Sequence, residues 1–233
     1  MLIAEDLVLL TLDDRTGRPF GGIDTWTLDL LAGGALLSEL ALAGAVRLHL
    51  DPVSRMVEVH PTGVRLPQDP CLRRALELAG GKARPPALVR SCGIAMSGHL
   101  LERLRHQGLL GREQRRRLLV TRTVWPTVDT AYKQDVRRHL AATLVHGDHP
   151  SQRTAALIAH LAAVDQAHRI FASPGATPQH VKARADHIAR AHWAAAAVRG
   201  VFLAGRGRRG GYDWGSDGGV GDGGGGGDGG GGD

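Results

Sequence analysis

The stretch from Leu2 to Val46 decides how this chain folds. It reads LIAEDLVLLTLDD over residues 2–14, continues through Arg15-Thr16-Gly17, and reads GGALLSELALAGAV over residues 33–46. The first run has helical apolar spacing, and Asp13-Asp14-Arg15-Thr16-Gly17 has the polar and glycine content of a turn. The second run, opened by Gly33-Gly34, carries Leu36, Leu37, Leu40 and Leu42, with Ser38 and Glu39 on its other side. The pattern predicts two packed helices joined by a charged turn.

Working outward, Ala45–His60 alternates Val46, Leu48 and Leu50 against Met56 or Val57 and Val59. The intervening Asp51-Pro52-Val53-Ser54 is turn chemistry, so a β-hairpin is expected. Pro70–Leu78 is expected to be a helix stopped by Gly80-Gly81, with a linker from Lys82 to Pro86. Leu88, Cys92, Met96, Leu100 and Leu104 recur at four-residue spacing and predict one helix over Ala87–Gln107. Glu113–Thr123 fits a charged helix or a hairpin arm, with Leu118–Thr123 favoured as a strand leading into Trp125-Pro126. Further helices are expected over Thr130–Val145, from the Ser151 cap to Phe171, and over about Gln179–Leu203. Ala and Leu abound and aromatics make up only 4% of the chain, which favours helices over sheets. The expected class is mainly α.

From Gly205 onward the composition changes, with 17 glycines in the last 29 residues. Apart from Tyr212 and Trp214 it offers almost nothing to bury, so a disordered tail is expected over 205–233 and a domain over 1–204. The tail from Arg206 carries three Arg and five Asp, so the body holds +8 of the net +6. A basic body points to an anionic partner: nucleic acid, an acidic membrane surface or a phosphate-bearing ligand. No segment has the length and uniform apolarity of a membrane span, and Met1 runs directly into a helix containing Glu5 and Asp6. The expectation is a soluble cytoplasmic protein. Cys71 and Cys92 have no motif spacing and are expected to be buried thiols.

Catalytic chemistry has little to stand on. His146 and His149 flank a turn, while His187 and His192 are five apart and do not stack on one helical face. Neither nucleophile elbow, zinc motif nor glycine-rich phosphate loop is present, so no catalytic residue, metal site or cofactor is expected. Arg112, Arg115, Arg116 and Arg117 precede Leu118-Leu119-Val120, and Trp125 follows. Cations beside apolar residues and a Trp suit an acidic lipid surface or a second subunit.

The opening stretch resembles that of the Golgi phosphoprotein 3 family, in the Arg-rich, Gly/Ala-heavy form of a high-GC bacterial, actinobacterial-type member. The resemblance resumes at Leu100-Leu101-Glu102-Arg103-Leu104 with Gly108-Leu109-Leu110, and at Leu118-Leu119-Val120 with Trp125-Pro126-Thr127. It continues through Asp148-His149-Pro150, Arg153–Ile158 and Trp193-Ala194-Ala195, covering Ile3 to Leu203. It implies a central helical bundle wrapped by amphipathic helices, with a projecting hairpin, in a non-catalytic peripheral membrane adaptor. Eukaryotic members bind phosphatidylinositol 4-phosphate through a Trp and several Arg. Here the corresponding positions hold Asp24, Gly33, Ile94 and Ser97, which leaves Trp26 and Arg90 as headgroup candidates. The implied partner is an anionic phospholipid, at the inner face of a membrane, with a homo-oligomer through Arg115–Val120 and Trp125 as a further expectation. The competing expectation is a winged-helix-like nucleic-acid binder, because a helix over Ala87–Gln107 is followed by a basic β-arm. That helix offers Arg90, Arg103, Arg105 and His106 but few base-reading amides.

Overall fold

A computed structural model describes residues 1–64, 68–81, 83–117, 120–173 and 175–209. Leu118, Leu119 and the tail beyond Arg209, including Tyr212 and Trp214, lie outside the described residues. Among those described are ten helices: α1 Ile3–Thr11, α2 Thr25–Leu42, α3 Pro70–Ala79, α4 Pro85–Gly93, α5 Met96–His106, α6 Ala131–Leu144, α7 Gln152–Ala163, α8 Ala167–Phe171, α9 Pro178–Ala189 and α10 Trp193–Arg209. Two antiparallel hairpins complete the fold. β1 (Val46–Leu50) pairs β2 (Val57–Pro61), and β3 (Glu113–Arg117) pairs β4 (Val120–Val124). The mainly α expectation and both hairpins hold.

α1 is the centre of the bundle. All nine of its residues are buried, including Glu5 and Asp6, and it packs against α2, α5, α6 and α7. Its carboxylates cannot stay in that interior unpaired. Glu5 meets Arg103 Nε of α5 at 2.9 Å and accepts from the Gln107 side chain at 2.9 Å. Asp6 meets Arg153 Nη2 of α7 at 2.7 Å and accepts from the Tyr132 hydroxyl of α6 at 2.8 Å. Arg103 also reaches Asp69 at 2.7 Å, ahead of α3, and Arg153 reaches Glu39 of α2 at 3.3 Å. Buried Lys133 is held by the Leu12 carbonyl oxygen and Asp14. Polar ties thus fix four surrounding helices to the first two turns of the chain.

α2 starts eight residues earlier than expected. Asp24 caps it, accepting from the Thr27 N–H at 2.8 Å, so Gly33-Gly34 lie mid-helix rather than at the start. The glycines are contact points. A Cβ on Gly33 would overlap the Val89 carbonyl oxygen and stand 2.8 Å from the Gly93 N of α4. A Cβ on Gly34 would overlap Val198 of α10 and stand 2.8 Å from the His160 ring of α7. The α4 backbone therefore crosses α2 closer than a side chain allows, and α10 sets its Val198 side chain directly on the α2 backbone.

Three expected long helices are interrupted. The Ala87–Gln107 helix breaks at Ile94 and Ala95, the latter at φ +55°, and Asp29 of α2 accepts from the Ser97 N–H at 2.8 Å to start α5. The helix from Ser151 ends at Ala163. Asp165 takes φ +59°, and the Gln166 and Asp165 amides bond back to the Leu161 and Ala162 carbonyls, a left-handed C-terminal closure. The last helix breaks between Ala189 and Trp193, and α10 continues to Arg209, so the helical body outruns the expected boundary at residue 204.

Two outcomes test these packing arguments. Gly33→Ala should cost about 3 kcal/mol or more, because backbone atoms of α4 cannot yield as a flexible side chain would; equilibrium urea unfolding measures it. Arg153→Met should lower stability by about 2–3 kcal/mol at neutral pH. This is below the roughly 3–5 expected for stranding a fully buried charge, because Arg153 is 38% exposed. Burial already holds the Asp6 carboxyl above its ordinary value against the pull of Tyr132 and Arg153. Losing Arg153 raises it further, so the folded variant binds a proton more readily than its unfolded chain. The deficit should therefore shrink as pH falls into the carboxylate range.

Candidate functional site

The β3–β4 hairpin is seated on the turn after α1. Gly17, at φ +64°, accepts from the Trp125 N–H at 2.9 Å, and a Cβ there would stand 2.5 Å from the Trp125 N. Beyond this base the hairpin is strongly cationic. Arg115 and Arg116 of β3 and Arg122 of β4 are exposed, and Arg115 is paired directly with Arg122 across the ladder. Like charges at such a pair are unfavourable, by roughly 0.2–1 kcal/mol. Glu113, 2.9 Å from Arg115, relieves part of it. Arg117 lies in β3 and pairs with Val120 of β4. The Arg112 guanidinium stands 5.7 Å over the half-buried Trp125 ring. Glu102 approaches Arg112 at 3.0 Å.

A second surface feature lies on the β1–β2 hairpin. Val46 and Val59 at its base are buried, while the same apolar face runs outward through Leu48, Leu50 and Val57, all exposed, and Val53 and Met56 are exposed at the turn. Val53, at 91% exposure, is the most open of the large apolar side chains among the described residues.

Trp26 lies in the first turn of α2, half-buried, with its ring stacked on Phe202 of α10 at 6.3 Å. It lines a cleft of about 250 Å³ between the α2 N-terminus, the α7–α8 corner and α10. The wall contains Gly21, Asp24, Gln166, Arg169, Phe202 and Arg206. The Arg169 guanidinium donates to the Gly21 carbonyl at 2.9 Å, and Arg206 stands 5.4 Å from the Phe202 ring. Gln166 is 6% exposed and its Oε1 has no hydrogen-bond partner among the described residues. A buried acceptor left in that state costs about 1–3 kcal/mol. Arg90 is exposed on α4 and does not line this cleft, so Trp26 and Arg90 are not brought together in it.

The positions that correspond to the family headgroup set have other work here. Asp24 caps α2, Gly33 sits in the crossing with α4, Ile94 is 76% exposed and Ser97 is buried in the first turn of α5. Gln166, Arg169, Phe202 and Arg206 were not singled out from the sequence. Arg206 fell in the segment read as tail, and Gln166 carries no local motif.

One arrangement has the look of catalysis. Ser38 Oγ lies 2.8 Å from His160 Nε2 in the interior. Burial, with repulsion from His192, pulls the His160 ring down to about 3, and its Nδ1 has no partner among the described residues. Among the described residues no hydrogen-bond partner orients Nδ1 of the imidazole as a base requires. Burial raises both thiols, Cys92 to about 12, so neither is an activated nucleophile. Among the described residues, no three His, Cys, Asp or Glu side chains gather as a metal site, and no helix is long and apolar enough to cross a membrane.

Gly205 leaves room for Trp26, since a Cβ there would stand 2.6 Å from ring atom Cζ2. Gly205→Val should displace the indole and shift its fluorescence to the red, at a stability cost of about 1–2 kcal/mol. The shift should vanish when the same change is made on a Trp26→Phe background.

A comparison with curated proteins returns no match. The family described as Golgi phosphoprotein 3 (GPP34) matches residues 3–204, which spans α1 through most of α10. With the buried opening helix, the wrapped bundle and the two hairpins on the page, the chain belongs to the Golgi phosphoprotein 3 family.

Proposed function

We propose that the protein is a non-catalytic adaptor that docks peripherally on anionic phospholipid. The observation that carries this reading is the Arg115–Arg122 cross-strand pair, with Arg116 beside it, on an exposed hairpin. An anionic surface would relieve repulsion that the isolated hairpin must tolerate. Family membership supports the same reading, since the family is associated with phosphatidylinositol 4-phosphate recognition.

Magnitudes shape the proposal. Each arginine near an acidic leaflet contributes about 1 kcal/mol, so the three supply about 3 kcal/mol and give reversible docking only. The exposed apolar side chains of the β1–β2 hairpin and its turn, Leu50, Val53, Met56 and Val57, are a ready source of the remainder. Asp24, Gly33, Ile94 and Ser97 supply no arginine fork, so recognition is by surface charge rather than by one phosphate pattern. The cytoplasmic leaflet, which carries the acidic lipids, is the proposed location.

No observation favours the nucleic-acid reading to the same degree. Arg103, one of its contact candidates, is committed to Glu5 and Asp69, and Arg105 to Glu102 at 2.7 Å.

Sedimentation with phosphatidylcholine vesicles, with and without phosphatidylserine, tests the proposal at low salt. The protein should pellet with the acidic vesicles only. Reversing Arg115, Arg116 and Arg122 to Glu should weaken that binding at least about a hundredfold, as three attractions become repulsions. Equal behaviour on both vesicle types, or no effect of the reversal, would sink it. Light scattering of the same variant reports whether the hairpin instead joins two copies.

A further inference from the structure

A cavity of about 340 Å³ opens where α7, α9 and α10 meet. α7 packs against both α9 and α10, while those two, separated by the break at residues 190–192, pack little on each other. Each is pinned elsewhere. Lys182 of α9 holds Asp165, beyond the end of α7, at 2.6 Å, and Val198 of α10 is seated against Gly34 of α2. The gap between them therefore stays open in a body that is otherwise closely packed.

Two kinds of chemistry line the cavity. Ala159, Ala163 and Ala195 are buried and form an apolar bed, continued by Ala189 and Ala196. Three charged side chains complete the wall: Asp186, Arg190 and Arg199. Asp186 is already served by Lys182 at 3.4 Å and Arg199 at 3.8 Å, and Lys182 is shared with Asp165. At 3.8 Å Arg199 is beyond hydrogen-bond reach of Asp186, so its N–H donors stay open to a second acceptor. Arg190 makes no ion pair among the described residues. Taken with Asp165 and Lys182, the wall keeps one positive charge uncompensated. Two planar guanidiniums with that remainder match a single carboxylate, whose two oxygens accept parallel N–H bonds. The alanine methyls match an aliphatic chain, and the volume falls within the roughly 300–1,000 Å³ of small-molecule sites.

We propose that the α7–α9–α10 cavity binds a medium-chain aliphatic monocarboxylate. Arg190 and Arg199 receive the carboxylate, and the alanine bed takes the chain. Charge complementarity selects this occupant over its neighbours in chemistry. An alcohol of equal length leaves Arg190 unmatched, and a polyanion exceeds the one positive charge. A shorter acid forgoes the burial of methylenes, each of which contributes up to about fourfold in affinity. The site shares no residue with the β3–β4 hairpin and does not depend on lipid docking there.

Isothermal titration of the full chain with sodium octanoate tests the site, beside butyrate, 1-octanol and N-acetylleucine. Octanoate should bind at least about tenfold more tightly than butyrate and about fivefold more tightly than octanol. Arg190→Ala and Arg199→Ala should each weaken octanoate at least about threefold and leave octanol unchanged. Ala196→Leu fills the cavity from an exposed position and should weaken both ligands at least about fivefold. Melting curves confirm that each variant folds, and the two exposed arginines keep the test decisive should Ala196→Leu unfold. Arg138→Ala removes an exposed charge of α6 outside the cavity and should leave octanoate binding unchanged. Absence of saturable binding up to ~10 mM, octanol binding as tightly as octanoate, or unchanged octanoate affinity in the folded arginine variants would each overturn the proposal. Equal weakening by Arg138→Ala would overturn it as well, by reducing the effect to overall charge. Tighter binding of N-acetylleucine would overturn it in favour of the carboxyl end of a peptide.

Discussion

Burying a helix that begins with two adjacent carboxylates is the constraint around which this fold is arranged. Hydrophobic burial alone would favour placing α1 in the centre, since six of its nine residues are apolar. Glu5 and Asp6 then have to be neutralised where water is absent. The neutralising groups come from separate parts of the chain: Arg103 of α5, Arg153 of α7 and Tyr132 of α6. Both arginines reach past the first carboxylate to a second partner, Arg103 to Asp69 and Arg153 to Glu39. The result is directional. Apolar contacts would tolerate several rotations of α5 and α7 about α1, whereas these ion pairs tolerate few.

Glycine does complementary work at close approaches. Gly33 and Gly93 bring α2 and α4 into backbone contact, Gly34 admits α10 and the His160 ring, and Gly17 seats the base of the β3–β4 hairpin. Gly205 does the same for Trp26 at the edge of the cleft. Missing side chains thus link the core to both candidate surfaces. Where α10 lies on α2 determines how Phe202 and Arg206 meet Trp26, and where the turn after α1 lies determines how the cationic hairpin projects.

The two surfaces divide along a physical line. The hairpin presents unbalanced positive charge on a flat, exposed ladder, suited to a diffuse anionic surface and sensitive to salt. The cleft presents the Arg169 and Arg206 guanidiniums, an aromatic wall and a buried acceptor.

The sequence by itself determined the elements. Apolar spacing located the helical segments, and Gly108, at positive φ, follows the end expected at Gln107. The Asp51–Ser54 turn set the first hairpin, and the order of motifs from Ile3 to Leu203 identified the family. Only the tertiary structure decided where helices stop when the stopping group is distant. Asp29 starts α5 from 68 residues away, and Asp165, held at 2.6 Å by Lys182, occupies a left-handed position usually given to glycine. The start of α2 was misread for a related reason: mid-helix glycines look like boundaries until the helices that need the space are known. The cleft was invisible for the same cause. Trp26, the Gln166–Arg169 pair and Arg206 come from three places in the chain, and no local pattern relates residues whose proximity depends on how α2, α7, α8 and α10 pack.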